Sequence, residues 1–171
     1  MENAAFIQLL SQQGWDIQLN KDTSDTDNLT NERVNNAPEE FRDFMKLFDL
    51  CANETDDTWF LSYKDYNNQT DSAFPWNEFE NQSLDAAEAD QIDGVKQFWE
   101  CHLPILMSVK NGYQYIAIGI GEQHANKIFY GREPEYEEAV LVANSFAEFK
   151  EHYVNALNGK YSSDYYKYYI V

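Results

Sequence analysis

The chain has 171 residues and a formal net charge of −18, with 12 basic side chains against 30 acidic ones. Binding through nucleic-acid phosphates needs a basic patch, and docking on an anionic membrane needs one too, so this balance argues against both. Hydrophobic residues make up 43% and aromatic residues 16%, enough to bury a core built largely from rings and to exclude wholesale disorder.

Residues 3–13 read as a first helix, with Phe6, Ile7, Leu9 and Leu10 as its apolar side and Gly14 as its stop. Trp15, Ile17 and Leu19 alternate with polar residues, as in a short strand. Residues 20–33, with Asp22, Asp25 and Asp27, read as a polar loop. Asn36 and Glu39 have capping-box spacing around Pro38, and Phe41, Phe44, Met45 and Phe48 follow at helical intervals. This predicts a second helix that continues through Leu50 and Cys51. A polar turn at 52–57 leads to a strand from Trp59 to Tyr63. The stretch Asp65 to Val95 holds Asp65, Asp71, Glu78, Glu80, Asp85, Glu88, Asp90 and Asp93 without any Lys or Arg. Within it, Leu84 to Trp99 reads as one helix capped by Ser83.

The C-terminal half predicts an antiparallel meander. Leu103–Val109 and Tyr113–Ile120 flank Asn111-Gly112, the sequence of a type I′ hairpin turn. Lys127–Tyr130 and Ala139–Ala143 supply two more strands. Ser145 and Glu148 then form a second capping box, before a helix whose apolar face is Phe146, Phe149, Tyr153 and Leu157, ended by Gly159. The tyrosine-rich tail from Lys160 to Val171 adds an edge strand or covers the core. The fold class expected is therefore α+β: a single domain over 1–171, with a mainly antiparallel sheet and helices against it.

The start Met1-Glu2-Asn3 lacks a basic signal-peptide region, and no run approaches the roughly 20 apolar residues of a membrane span, so a cytoplasmic location is expected. Cys51 and Cys101 read as reduced thiols. His102, His124 and His152 share no metal-ligand spacing, and Cys101-His102 on one strand points to opposite faces. Gly119-Ile120-Gly121 lacks the third glycine and the following helix of a phosphate loop. The expectation is no catalytic centre, no cofactor and no metal.

Pro38-Glu39-Glu40-Phe41 opening a helix, Trp59-Phe60-Leu61 as a strand, Leu103-Pro104-Ile105 paired with Tyr113 to Gly119, and Val142 to Phe149 leading from strand to last helix together resemble the SUKH superfamily over roughly residues 35–157. That superfamily includes the fungal glucan-synthesis regulators, the Syd proteins and many bacterial immunity proteins. Members often carry Asn-Gly after the first helix, where this chain has Asn53-Glu54-Thr55. The resemblance implies an α+β fold without catalytic residues. It also implies either an immunity protein that neutralises a bacterial polymorphic toxin by binding it, or an interaction module in cell-envelope (glucan-type) synthesis. The toxins that the resemblance implies are often of nuclease or deaminase type, and the acidic charge favours a basic domain as the partner. Trp76, Phe79, Asp85, Glu88 and Asp90 are the candidate partner-binding residues, as two ring anchors and three acids in the acidic stretch.

Overall fold

The computed structural model describes residues 1–21 and 30–167. Its described elements, in chain order, are α1 (Asn3–Gln12), β1 (Asp16–Leu19), α2 (Glu32–Asn35), α3 (Glu39–Met45), β2 (Phe48–Ala52), β3 (Thr58–Phe60), α4 (Tyr63–Tyr66), α5 (Glu78–Ala86), α6 (Ile92–Cys101), β4 (His102–Ser108), β5 (Gln114–Gly119), β6 (Ile128–Arg132), β7 (Val140–Ala143) and α7 (Phe146–Leu157). The seven strands form one sheet in sequence order β1 to β7, and every neighbouring pair is antiparallel. The fold is thus α+β, and the meander begins earlier than its C-terminal half.

Residues paired across neighbouring strands share a face of the sheet. Phe60 pairs with Leu106, and Leu106 with Ile116. On this first face Phe60 is the hub, with its ring 5.8 Å from Phe6 of α1, 5.3 Å from Phe44 of α3 and 5.9 Å from Tyr153 of α7. Such tilted and edge-on ring pairs each add about 0.5–1.5 kcal/mol beyond area burial. Trp59, Met107 and Tyr115 lie on the opposite face. There Tyr115 meets Phe79 of α5 and Trp99 of α6, at 6.1 and 5.1 Å. Helices therefore cover both faces, which is why every residue of β4 and β5 is buried instead of alternating with exposed ones.

One cation sits inside this core. Lys150 of α7 is fully buried. Its Nζ donates to the Met1 carbonyl at 2.7 Å, Asn3 Oδ1 at 2.6 Å and Glu40 Oε1 at 2.7 Å, tying α1, α3 and α7 together.

Several local expectations are corrected. The second helix ends at Met45, and Leu50 and Cys51 lie in β2. Asn36 does not cap it; Pro38 occupies the cap position without a side-chain bond, and Asn36 instead closes α2. Glu32 and Arg33 are helical, with Asn31 as their cap, whereas residues 22–29 of the expected loop, including Asp22, Asp25 and Asp27, lie outside the described residues. Tyr63 opens α4, not the end of a strand, and Ser62 with Asp65 forms a complete capping box there. The single helix expected over 84–99 is two, α5 and α6, and Ser83 lies inside α5, donating to the Phe79 carbonyl.

In the β4–β5 connection only Gly112 takes a positive φ, +90°. Asn111 does not, so the turn is not type I′ and the last strand pair is Ser108 with Gln114. Ser145 caps α7 through the Glu148 amide, but the Glu148 carboxylate accepts from the Asn144 backbone N–H at 2.6 Å, one residue before the expected box partner. Gly159, at φ +74°, ends α7, with the Lys160 amide reaching back to Asn155 in a Schellman motif. Of the tail, Tyr166 is fully buried against Phe149, so this part covers the core; residues 168–171 lie outside the described residues.

Candidate protein-interaction surface

α5 and α6 meet at a tight corner, residues 87–91. Phe79 anchors α5 and Trp99 anchors α6; the Trp99 indole N–H donates to Ser83 Oγ at 3.2 Å and locks the two helices together. At the corner the Glu88 amide donates to Gln91 Oε1 and the Gln91 amide donates to the Glu88 carbonyl, both at 2.9 Å. This reciprocal pair fixes the entry into α6. With Phe79, Val95 and Trp99 turned inward, Asp85, Glu88, Asp90 and Asp93 are left exposed, and Lys96 is an exposed cation one turn on. The three acids singled out in the sequence therefore share one short, ordered, solvent-facing corner.

The two rings expected beside them are placed elsewhere. Phe79 has no exposed surface and stacks on Tyr136 at 5.1 Å, so it is a core residue that no partner can touch. Trp76 is half-buried, 5.9 Å from Tyr66, with the Arg33 guanidinium 5.8 Å from its ring centre.

Nor is the acidic stretch uniformly free. Glu80 is nearly buried and takes a bidentate pair from Arg33, at 2.5 and 2.9 Å. That hydrogen bond holds the Arg33 pKa above its ordinary value, against the opposing effect of burial. Asp65 is consumed by the α4 cap and by Thr70 Oγ1. Both roles depend on partners distant in sequence or on a helix start, which acid spacing alone does not reveal.

The fold also gathers groups that sequence spacing keeps apart. The β4–β5 hairpin and the loop after β5 bring His102 and His124 to 5.2 Å between ring centres, both edge-on to Phe129. His102 Nδ1 lies 2.8 Å from the Phe98 carbonyl, and burial lowers the pKa of this imidazole. Cys101 is half-buried next to Gly121, while Cys51 is buried and its thiol is pushed well up by desolvation; both thiols are free. Among the described residues no group of three or more His, Cys, Asp or Glu side chains is placed to hold a metal ion, and no helix is long and apolar enough to cross a membrane.

No protein-family model matches the chain, and no curated protein sequence matches it.

Proposed function

We propose that this protein is a non-catalytic immunity protein of the SUKH type, which binds a basic bacterial toxin domain and blocks its working surface. The observation that carries this reading is the exposed corner Asp85, Glu88 and Asp90, held on two rigidly packed helices in a chain of net charge −18. A nuclease or deaminase domain must present basic surface to its nucleic-acid substrate. An acidic, preordered surface meets such a domain quickly, because long-range attraction raises the rate of productive encounter. The α+β fold, an antiparallel sheet with helices packed against it, is the fold that the resemblance implies, and supports the same reading.

The test is co-expression with the product of the adjoining gene. Growth rescue and co-purification of the two proteins are expected. A toxic neighbour that is neither bound nor neutralised would overturn the proposal.

A further inference from the structure

Beside α5 and α6, on the sheet face that carries Trp59, lies a second feature with a defined chemistry. A cavity of ≈ 430 Å³ opens over β2 and β3, lined by Leu50, Trp59 and Phe74 as apolar wall and by Asp49, Asp56 and Asp65 as acids. The three carboxylates come from three different elements: β2, the β2–β3 turn and α4. In this wall Trp59 meets Phe74 nearly edge-on at 5.8 Å and is itself only partly buried, which leaves ring surface open to a ligand.

The acids are not equivalent. Asp65 has both oxygens engaged, Oδ2 by Ser62 and Oδ1 by Thr70, so it is held in place and supplies chiefly fixed charge. Asp49 takes Lys64 on Oδ2 at 2.8 Å and its Oδ1 is shut off from solvent, so the acid left open to a ligand is Asp56, exposed on the turn with no side-chain partner among the described residues. The cavity thus joins an aromatic wall, surplus negative charge and one exposed, unpaired carboxylate.

We propose that this cavity receives an arginine side chain of a protein partner. A guanidinium is planar, weakly hydrated and always charged; it stacks on an indole while its N–H groups reach a carboxylate. A lysine ammonium is a compact, strongly hydrated point charge that gains less from the aromatic wall. An anionic ligand meets repulsion from all three acids. The inference deepens the proposed function and rests on it for the identity of the partner, since a basic toxin domain is rich in such side chains.

The experiment has two arms. In the first, N-acetyl-arginine methylamide is titrated into the full chain to tens of millimolar at constant ionic strength, and the Trp59 indole N–H is followed by two-dimensional NMR. The neutral citrulline counterpart is the control. Saturable shifts at Trp59, Thr70 and Val109 are expected with arginine only, and those at Thr70 and Val109 are expected to vanish in Asp56→Asn and in Trp59→Leu, each checked for a wild-type fold by thermal melting. No localised shift, or the same shift with citrulline, overturns the pocket. This arm needs no toxin, so it stands whether or not the immunity reading does. In the second arm, the adjoining gene product is bound to the same variants, with at least a tenfold loss of affinity expected in each. Unchanged affinity overturns the pocket while leaving the immunity reading intact; no neutralisation by the wild type overturns the immunity reading, and the first arm then decides the pocket.

Discussion

Replacing Lys150 by Met tests how the two ends of the chain are fastened together. Methionine keeps the apolar stem in place but removes the ammonium and all three of its hydrogen bonds, to Met1, Asn3 and Glu40. Hydrogen bonds to a charged group are worth about 1.5–3 kcal/mol each, and this gross sum is reduced by the several kcal/mol spent in burying the cation. Breaking a buried ion pair from one side costs about 3–5 kcal/mol when the remaining charge is stranded. Here the Glu40 side chain is 41% exposed and can return to water, which places the loss at the lower end. The expected destabilisation is about 2–4 kcal/mol, or a fall in Tm of roughly 5–15 °C for a chain of this size. Urea unfolding should show a lower midpoint at unchanged slope. Hydrogen exchange should quicken first at the start of α1, where two of the three acceptors lie. A loss below about 0.5 kcal/mol, or one without faster exchange in α1, would refute the reasoning.

Three other outcomes follow from the same structure. Gly119→Ala places a Cβ 2.0 Å from the His124 carbonyl oxygen, a backbone atom that cannot yield alone, whereas at Gly94, inside α6, nothing lies within 4 Å; calorimetry should show Gly119→Ala costing about 3 kcal/mol or more and Gly94→Ala adding about 0.5–1 kcal/mol. Phe79→Ala should cost about 3–5 kcal/mol by denaturant unfolding, because the ring is fully buried between α5 and Tyr136; a loss under about 1 kcal/mol would return this ring to the surface. Burial lowers the pKa of His102 below 6.5, so the folded protein binds fewer protons than the unfolded chain in that range. Its contribution is complete above about pH 6.5 and is lost as pH falls from there through the folded value. His102→Phe should flatten the fall in stability between roughly pH 7 and 5, and an identical pH profile in the variant would contradict the assignment.

The strands of the C-terminal half were legible because their apolar runs are separated by glycine-bearing turns up to β6 and by a proline-bearing acidic turn before β7, and α7 because Ser145 marks its start. The stretch after α3 misled for a physical reason. Gln18 pairs with Leu50 and Leu19 with Phe48, so Asp49 is an extra residue in β2. That bulge shifts the alternation and lets Phe48 and Cys51, three residues apart, both enter the core. A strand thereby carries the spacing of a helix, and it follows directly on the true helical spacing of Phe41 and Phe44. The helix expected over 84–99 failed at Ala87, whose ψ of 137° is extended, in a run of Ala, Glu and Asp that carries no strong breaker.

At the candidate surface, the acids were legible as exposed because charged residues on an amphipathic corner have nowhere else to go. The rings were not, since a phenylalanine reads alike as anchor or core until its neighbours are known. Lys150 lies outside sequence patterning for the same reason: its acceptors come from residues more than a hundred positions away.

The central claim is that the acidic corner guides a basic protein partner. Stopped-flow association with the adjoining gene product, at low and at high salt, tests it most directly, comparing the wild type with a chain in which Asp85, Glu88 and Asp90 are changed together to Asn, Gln and Asn. The account predicts that salt slows wild-type association by about tenfold or more, and that the triple variant, folded and equally stable, associates more slowly at low salt and responds less to salt. An association rate indifferent to both salt and substitution would contradict it.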